Sequence, residues 1–468
     1  MKHINKIFIV IFSVIIILPL LTFNFEEGAV SEIENKVLAE NPFKIDYSDP
    51  DESFHGNLDA YLIDRLGLKS ELVYAYSVFN DKMFGKMEHP LYSYGEDGYV
   101  FGAGLSTDEV YTDFHDDFAD MVLQLQIYCE DRDIPFVFVF EPAKPAVITE
   151  YIPVGVNYNR DWVDEFFEVI DENNINYVNN TDMLRDKMHR GEMVFNKVYD
   201  AGHWNPLGAF YGVNAVLEKL QEDFPSVHIN SMDEMNVGVT KATRLPVSNF
   251  PIDEDVPVIF PKKELDSSLT DMYVDEIEID EEYPEFDYYV NDERKEEGAP
   301  KALVFQGSYM NEYGYPFFAN SFSEYIVVQD YQNIMNIDYY YNIFKPDCIV
   351  FEVAEYTFNN NYFDQETMAN MKLNKPFNVV LDNATVREEL IVSKDELLIE
   401  EGNTLTKITF NTEETFDSVW LLSDSEYDMR KSDGGYEVTI PTDLYKNFTG
   451  DFRIECLKGN TMTGYVCR

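Results

Sequence analysis

Five short apolar runs, set apart by stretches with helical spacing, constrain what this chain can fold into more than any other feature. They are "IPFVFVFEP", "INYVN" at Ile175 to Asn179, and three later runs at Ala302 to Gln306, Tyr325 to Gln329 and Cys348 to Val353. A strand apolar on both sides must be covered on both faces, which is the habit of parallel sheets. Between the runs, Phe114, Phe118, Met121, Val122, Leu125 and Cys129 fall on one helical face, and Trp162, Phe166, Phe167 and Ile170 mark a second. A third helix is predicted from Ala209 to about Phe224. The alternation predicts an α/β domain with a mostly parallel sheet between helices.

The flanks have other patterns. Ile7 to Phe23, "IFIVIFSVIIILPLLTF", is an unbroken apolar run with Lys2 and Lys6 before it and Glu26 and Glu27 after it. This predicts a single-pass anchor over residues 1–28 with its N-terminus inside, a cleaved signal peptide and secretion being the alternative. A polar stalk follows. Leu62, Leu66, Leu72, Tyr76 and Phe79 then suggest two helices broken at Gly67, and Tyr94 to Gly104 a hairpin turning at Glu96-Asp97-Gly98. Residues 29–372 form the predicted α/β domain, interrupted at about 236–299 by a proline-rich, acidic insertion expected to be mostly solvated surface. From about Leu373 the helical period disappears. Six segments at roughly ten-residue spacing, the first of them "FNVVLDN", predict a β-sandwich over 373–468.

With 468 residues, 45% of them hydrophobic, the chain can bury a large core. A formal charge of −52 and the lack of any basic stripe exclude a nucleic-acid partner. Cys129, Cys348, Cys456 and Cys467 show no metal-ligand spacing, so no metal site and no cofactor is expected. Cys456 and Cys467 lie near each other in sequence and could pair outside the cytoplasm.

Reactive groups in a parallel sheet gather at the C-terminal ends of its strands. "LVFQGSYM" offers Ser308 there, after Gly307, and "YDAGHWNPLGA" offers Asp200 and His203 ahead of a helix. A serine hydroxyl needs an imidazole to take its proton, and the imidazole needs a carboxylate to fix its tautomer. This makes Ser308 the candidate nucleophile, His203 the base and Asp200 the orienting acid, with the backbone amides of Ser308 and Tyr309 as oxyanion donors. Each also has a plain reading: Ser308 as a helix cap, Asp200 as a turn residue, and His203-Trp204 as an aromatic plug.

"YDAGHWNPLGAF" resembles the Asp-x-His-Trp signature of the extracytoplasmic SGNH-like O-acetyltransferases related to the alginate acetylation proteins, also called DHHW-type proteins. "DRLGLKSEL" with "YGEDGYVF", "VFEPAKPAVITEYIP", and "KALVFQGSYMN" with "KPDCIVFEVAE" resemble further motifs of that family in the same order, over roughly Val30 to Phe358. The resemblance implies an SGNH-like three-layer fold and transfer of an acetyl group, through a serine ester, onto hydroxyls of a cell-surface or secreted polysaccharide. It also implies a membrane-bound O-acyltransferase as acetyl donor, and Lys144 and Trp204 near the substrate. Two features depart from the pattern: two residues, Ala201 and Gly202, separate acid from histidine, and Gly307 precedes the serine where aspartate is common. An esterase using the same triad and an inactive glycan-binding scaffold are the rival readings, and Trp420 and Tyr436 are either glycan-contacting or core residues of the C-terminal unit.

Overall fold

The computed structural model describes the chain except residues 1, 32–35, 46, 48–52, 105–108, 247, 249, 280–284, 330, 382–385, 393–396, 449–451 and 468. At its centre lie six strands: β1 (Phe136–Glu141), β2 (Tyr177–Asn179), β3 (Phe286–Val290), β4 (Lys301–Gln306), β5 (Glu324–Gln329) and β6 (Cys348–Ala354), in the order β2-β1-β6-β4-β5-β3. All neighbours are parallel except β3, which runs antiparallel to β5 at the edge. The five predicted strands are therefore adjacent in one sheet. The sixth, β3, comes from the segment read as an acidic insertion, where "FDYYV" was hidden among carboxylates.

Alternation along the strands explains why the sheet is covered twice. Phe136, Phe138 and Phe140 of β1, Leu303 and Phe305 of β4, and Ile349 and Phe351 of β6 enter one core with helix Asp113–Glu130 and helix Asp161–Glu172. Val137, Val139, Ala302, Val304 and Val350 enter the other, against helix Pro206–Leu220. Fully burying a side chain such as Phe138 contributes roughly 1.5–3 kcal/mol, so these two layers hold the strand ends in place. The helix predicted to begin at Ala209 begins at Pro206, because the Asn205 side chain caps it by accepting from the Leu207 and Gly208 N–H groups.

The insertion is more ordered than expected. Strands Met235–Arg244 and Pro251–Pro261 make a long two-stranded ladder, and only residues 247, 249 and 280–284 of the segment lie outside the described residues. The hairpin at Tyr92–Tyr94 and Val100–Gly102 is where its glycines predict it, as are helices Phe54–Asp64 and Lys69–Phe84. Their apolar residues Leu62, Leu72, Tyr76 and Phe79 point outward, however.

At the C-terminus eight strands share one curled antiparallel-rich sheet. Strand Glu426–Ser432 turns its corner: its first half pairs with Ser418–Leu422 and its second half with Gly435–Pro441. Side chains from the two halves, among them Ile408, Val419, Ile440 and Ile454, meet in a shared core, as in a sandwich. "FNVVLDN", read as its first strand, is instead a short helix at Phe377–Leu381 following Pro376, with its first N–H taken by Glu426. Trp420 and Tyr436 are core residues here; the indole donates to the Lys375 carbonyl and the phenol accepts the Phe416 N–H. Cys456 and Cys467 do not pair. Their strands are neighbours, but Cys456 faces Thr463 while Cys467 faces Phe452, an offset of four residues or about 13 Å.

Helix Lys2–Leu21 carries Pro19, and Phe8, Ile9 and Leu20 on it are exposed. Among the described residues no helix is long and apolar enough to cross a membrane. The side chains at 2–5, 11 and 15 are not among those described.

Candidate active site

Strand β4 ends at Gln306, the chain turns at Gly307, and Ser308 opens a helical segment that reaches Ala319 through a π turn at Met310–Gly314. The first N–H groups of such a segment have no carbonyl within it to bond, so the amides of Ser308 and Tyr309 are available beside the Ser308 hydroxyl. The Gly307 N–H donates to Glu352 Oε2 at 2.8 Å. Glu352 is a fully buried carboxyl on neighbouring β6, and burial pushes its pKa up to about 7.

The facing loop is built around Asp200, which sits in the left-handed region at φ 61°. Its Oδ1 accepts the Gly202 and His203 N–H groups at 3.1 and 3.0 Å, a side-chain turn that makes this backbone tolerable for an aspartate. Two residues between acid and histidine thus form the loop rather than disrupt it. Beneath it, Lys144 Nζ donates to the carbonyls of Val100 at 2.8 Å, Asp200 at 3.1 Å and Lys197 at 3.3 Å. From the 235–261 hairpin, Glu254 accepts the N–H groups of Lys197 at 2.8 Å, of Val198 at 3.0 Å and of Tyr199.

The two loops meet. His203 Nδ1 lies 2.9 Å from Asp200 Oδ2, and Nε2 lies 2.9 Å from Ser308 Oγ. With Nδ1–H donating to the carboxylate, Nε2 is left to accept the serine proton. A reciprocal clamp fixes the register between segments 105 residues apart. Trp204 Nε1 donates to the Tyr309 carbonyl at 3.0 Å, while the Tyr309 hydroxyl lies 2.7 Å from the Gly202 carbonyl and 2.9 Å from that of Pro142. The hydroxyl of Tyr356, just past β6, completes the surroundings at 2.6 Å from Ser308 Oγ.

Electrostatics follow from this packing. Burial works to lower the His203 pKa, but the Asp200 carboxylate and its hydrogen bond, with Glu312 and Glu352 nearby, outweigh it and the pKa is raised above the ordinary imidazole value. Burial would raise the Asp200 pKa, but His203 and the two backbone N–H groups hold it below the ordinary carboxylate value. The pair is thus set to favour an imidazolium beside a carboxylate, the state that follows proton transfer from a nucleophile.

Ser308, His203 and Asp200 are brought together, and Tyr309 lies beside them. Trp204, expected near the substrate, is fully buried behind the loops, while Lys144, equally buried, borders the cavity that adjoins the triad. Their polar atoms are committed to protein carbonyls, and burial pushes the Lys144 pKa down to about 7 against the pull of Asp200 and Glu254. Asn333, four residues past the end of β5, donates to the Gln329 carbonyl and accepts from Tyr340. Tyr356, Glu352 and Glu254 were not anticipated. "DCIVFEVAEY" already carries a glutamate and a tyrosine near a strand end, whereas nothing in the sequence signals the reach of Glu254.

A cavity of about 230 Å³ adjoins the triad, lined by Glu109, Tyr158, Trp162, Gly202, Glu355 and Tyr356 among others. Arg160 spans its wall to Glu355 at 2.6 Å. A larger cavity of about 960 Å³, lined by Glu278, Asp338, Asp364 and Arg430, touches no triad residue. Among the described residues no cluster of side chains suits a metal ion.

No protein-family model matches the sequence, and no curated protein does. The fold is similar to those of solved proteins at low identity. The O-acetyltransferase domain of AlgJ from Pseudomonas putida is 14% identical with a TM-score of 0.41, over 60% of this chain and 99% of that one. PatB1 from Bacillus cereus is 14% identical with a TM-score of 0.43, over 59% and 98%. A DHHW family protein from Eubacterium siraeum is 15% identical with a TM-score of 0.41, over 60% and 94%.

Proposed function

We propose that this chain is an extracytoplasmic O-acetyltransferase that carries an acetyl group on Ser308 and passes it to a hydroxyl of a cell-surface or secreted polysaccharide. The observation that carries the reading is the hydrogen-bonded relay from Ser308 Oγ through His203 to Asp200, at the C-terminal edge of a parallel sheet and beside a cavity. The ordered motifs shared with the SGNH-like acetyltransferases favour transfer over hydrolysis.

Ser308 Oγ attacks the acetyl carbonyl carbon as its proton passes to His203 Nε2, and the carbonyl electron pair moves onto oxygen. The amides of Ser308 and Tyr309 receive that charge. Collapse breaks the bond to the leaving alcohol, which takes the proton from His203. A sugar hydroxyl then enters, loses its proton to His203, attacks the acetyl-serine carbonyl, and leaves as the ester while Ser308 recovers its proton. Asp200 stabilises the imidazolium formed in each half. Acetyl-CoA is not available outside the cell, so the donor is an acetyl group delivered by a membrane-bound O-acyltransferase.

Incubating the full chain in detergent with an activated acetyl ester tests this directly. Ester loss that requires added oligosaccharide and yields an acetylated sugar is expected. Equal loss in water alone would make it an esterase, and turnover independent of Ser308 or missing altogether would leave a glycan-binding scaffold.

The proposal also places the chain at the membrane through its first 28 residues. An apolar helix as exposed as Lys2–Leu21 needs a cover, and a bilayer supplies one. The full chain should float with phospholipid vesicles in a density gradient, and a chain starting after residue 28 should stay at the bottom. Flotation of both, or of neither, would remove the anchor from the proposal.

A further inference from the structure

Two carboxyls lie in the core beneath the nucleophile turn, where water does not reach them. On the paired strands β1 and β6, Glu352 lies opposite Val139 and Ala354 opposite Glu141, so Glu141 and Glu352 point to the same face of the sheet, two positions apart. Both are fully buried. The Asn180 side-chain amide donates to Glu141 Oε1 at 2.9 Å and to Oε2 at 3.1 Å. Glu352 accepts the Gly307 N–H through Oε2 at 2.8 Å, and its Oε1 has no hydrogen-bond partner among the described residues. A carboxyl is costly to take out of water, more so with an oxygen left unbonded, and an apolar residue would fill the same space at less cost.

The bond to Gly307 lies where the sheet stops supporting the chain. The pairing of β4 with β6 runs through Phe305 and Phe351, and two residues on the Gly307 N–H is held by a side chain instead of a neighbouring backbone. Gly307 is also confined by Tyr331, whose hydroxyl would collide with a Cβ at this position. Packed by one side chain and bonded by another, the peptide that leads to Ser308 has little freedom.

Resting on the acyl-transfer reading above, the geometry points to Glu352 as a positioning residue with two tasks: Oε2 holds the Gly307 N–H, and with it the turn that carries Ser308, and the carboxylate charge steadies the imidazolium formed when His203 takes the serine proton. Glu352 touches neither the substrate nor the reacting atoms. The coupling to the base runs both ways. Glu352 raises the His203 pKa, while burial pushes Glu352 up to about 7 and the Gly307 N–H and His203 pull it back. Glu141, raised well above the carboxylate range by burial and then by Glu352, keeps its proton and leaves the charge on Glu352. The other groups facing this carboxyl are the phenols of Tyr325, Tyr331 and Tyr356, each raised by burial and so neutral.

Glu352→Gln in the full chain removes the charge and keeps an oxygen for the Gly307 N–H, whereas Glu352→Ala removes both. With a nitrophenyl acetate as probe, kcat should fall about tenfold in Glu352→Gln, the equivalent of one pKa unit of support for the imidazolium, and about 10²-fold in Glu352→Ala, where the turn can also drift, while KM changes less than threefold. The acid limb of kcat/KM should move to lower pH in both, because removing a nearby negative charge lowers the His203 pKa. The same shift should appear without turnover: in a Ser308→Ala background, the ring NMR signals of labelled histidine should report a lower His203 pKa once Glu352→Gln is added. The melting midpoint of Glu352→Gln should hold or rise, since an amide replaces a buried charge. An unmoved His203 pKa would overturn the electrostatic task, and with a lower midpoint it would assign Glu352 to packing. Equal kcat in Glu352→Gln and Glu352→Ala would overturn the hold on the turn. A wild-type chain without Ser308-dependent turnover would end the acyl-transfer reading, while the NMR titration would still decide whether Glu352 governs the charge of His203.

Discussion

Replacing Ser308 by alanine should reduce turnover of an activated acetyl ester by roughly 10⁴-fold or more, the loss seen when a triad nucleophile is removed. The change deletes one half-buried oxygen. The Trp204 and Tyr309 clamps that hold the two loops together do not involve it, so the circular dichroism spectrum and melting midpoint should match the wild type. An arylsulfonyl fluoride should label the wild-type chain once, on Ser308, because His203 Nε2 is 2.9 Å from the hydroxyl and free to take its proton. Alanine at 308 should abolish the label, and His203→Ala should slow it severely. Retention of more than a tenth of the turnover in Ser308→Ala, or a label on another residue, would remove this serine from the chemistry.

The sheet was legible because burial on both faces leaves no alternative to a run such as "FVFVFE", and such runs are distinctive in a chain so rich in carboxylates. β3 was not legible for the converse reason: an edge strand bonded on one side tolerates Asp287, and acidic neighbours hide its apolar positions. The juxtaposition of Ser308, His203 and Asp200 could be anticipated because the proposed chemistry fixes residue types, and because Asp200 and His203 are close enough to make one turn. What lies behind the triad could not. The resemblance implied Lys144 and Trp204 near the substrate; Lys144 borders the cavity but spends its ammonium on carbonyls that include Asp200's, and Trp204 lies behind, donating to the Tyr309 carbonyl across the two loops. Glu254 is invisible for a different reason. It comes 55 residues after Tyr199, and only the ladder from Met235 to Pro261 brings it to the three N–H groups it accepts.

Asp200→Asn should lower kcat/KM by about 10³ to 10⁴-fold at neutral pH while leaving the loop folded, because an amide oxygen can still accept the Gly202 and His203 N–H groups that Oδ1 accepts. The pH profile then distinguishes an electrostatic role from a merely positional one. The proposed acyl transfer requires neutral His203, and Asp200 raises its pKa above the ordinary value near 6.5. The wild-type rate should therefore decline with an acid limb centred above that value. In the variant the downward pull of burial on His203 loses its largest opposing charge, so the limb should move to lower pH. The sign of the comparison follows: below the wild-type limb most wild-type histidine is protonated while most of the variant's is not, so the penalty of the substitution should shrink as pH falls. An acid limb at the same pH in both proteins would mean that Asp200 does not set the charge of His203, and that the carboxylate holds the loop without tuning the base.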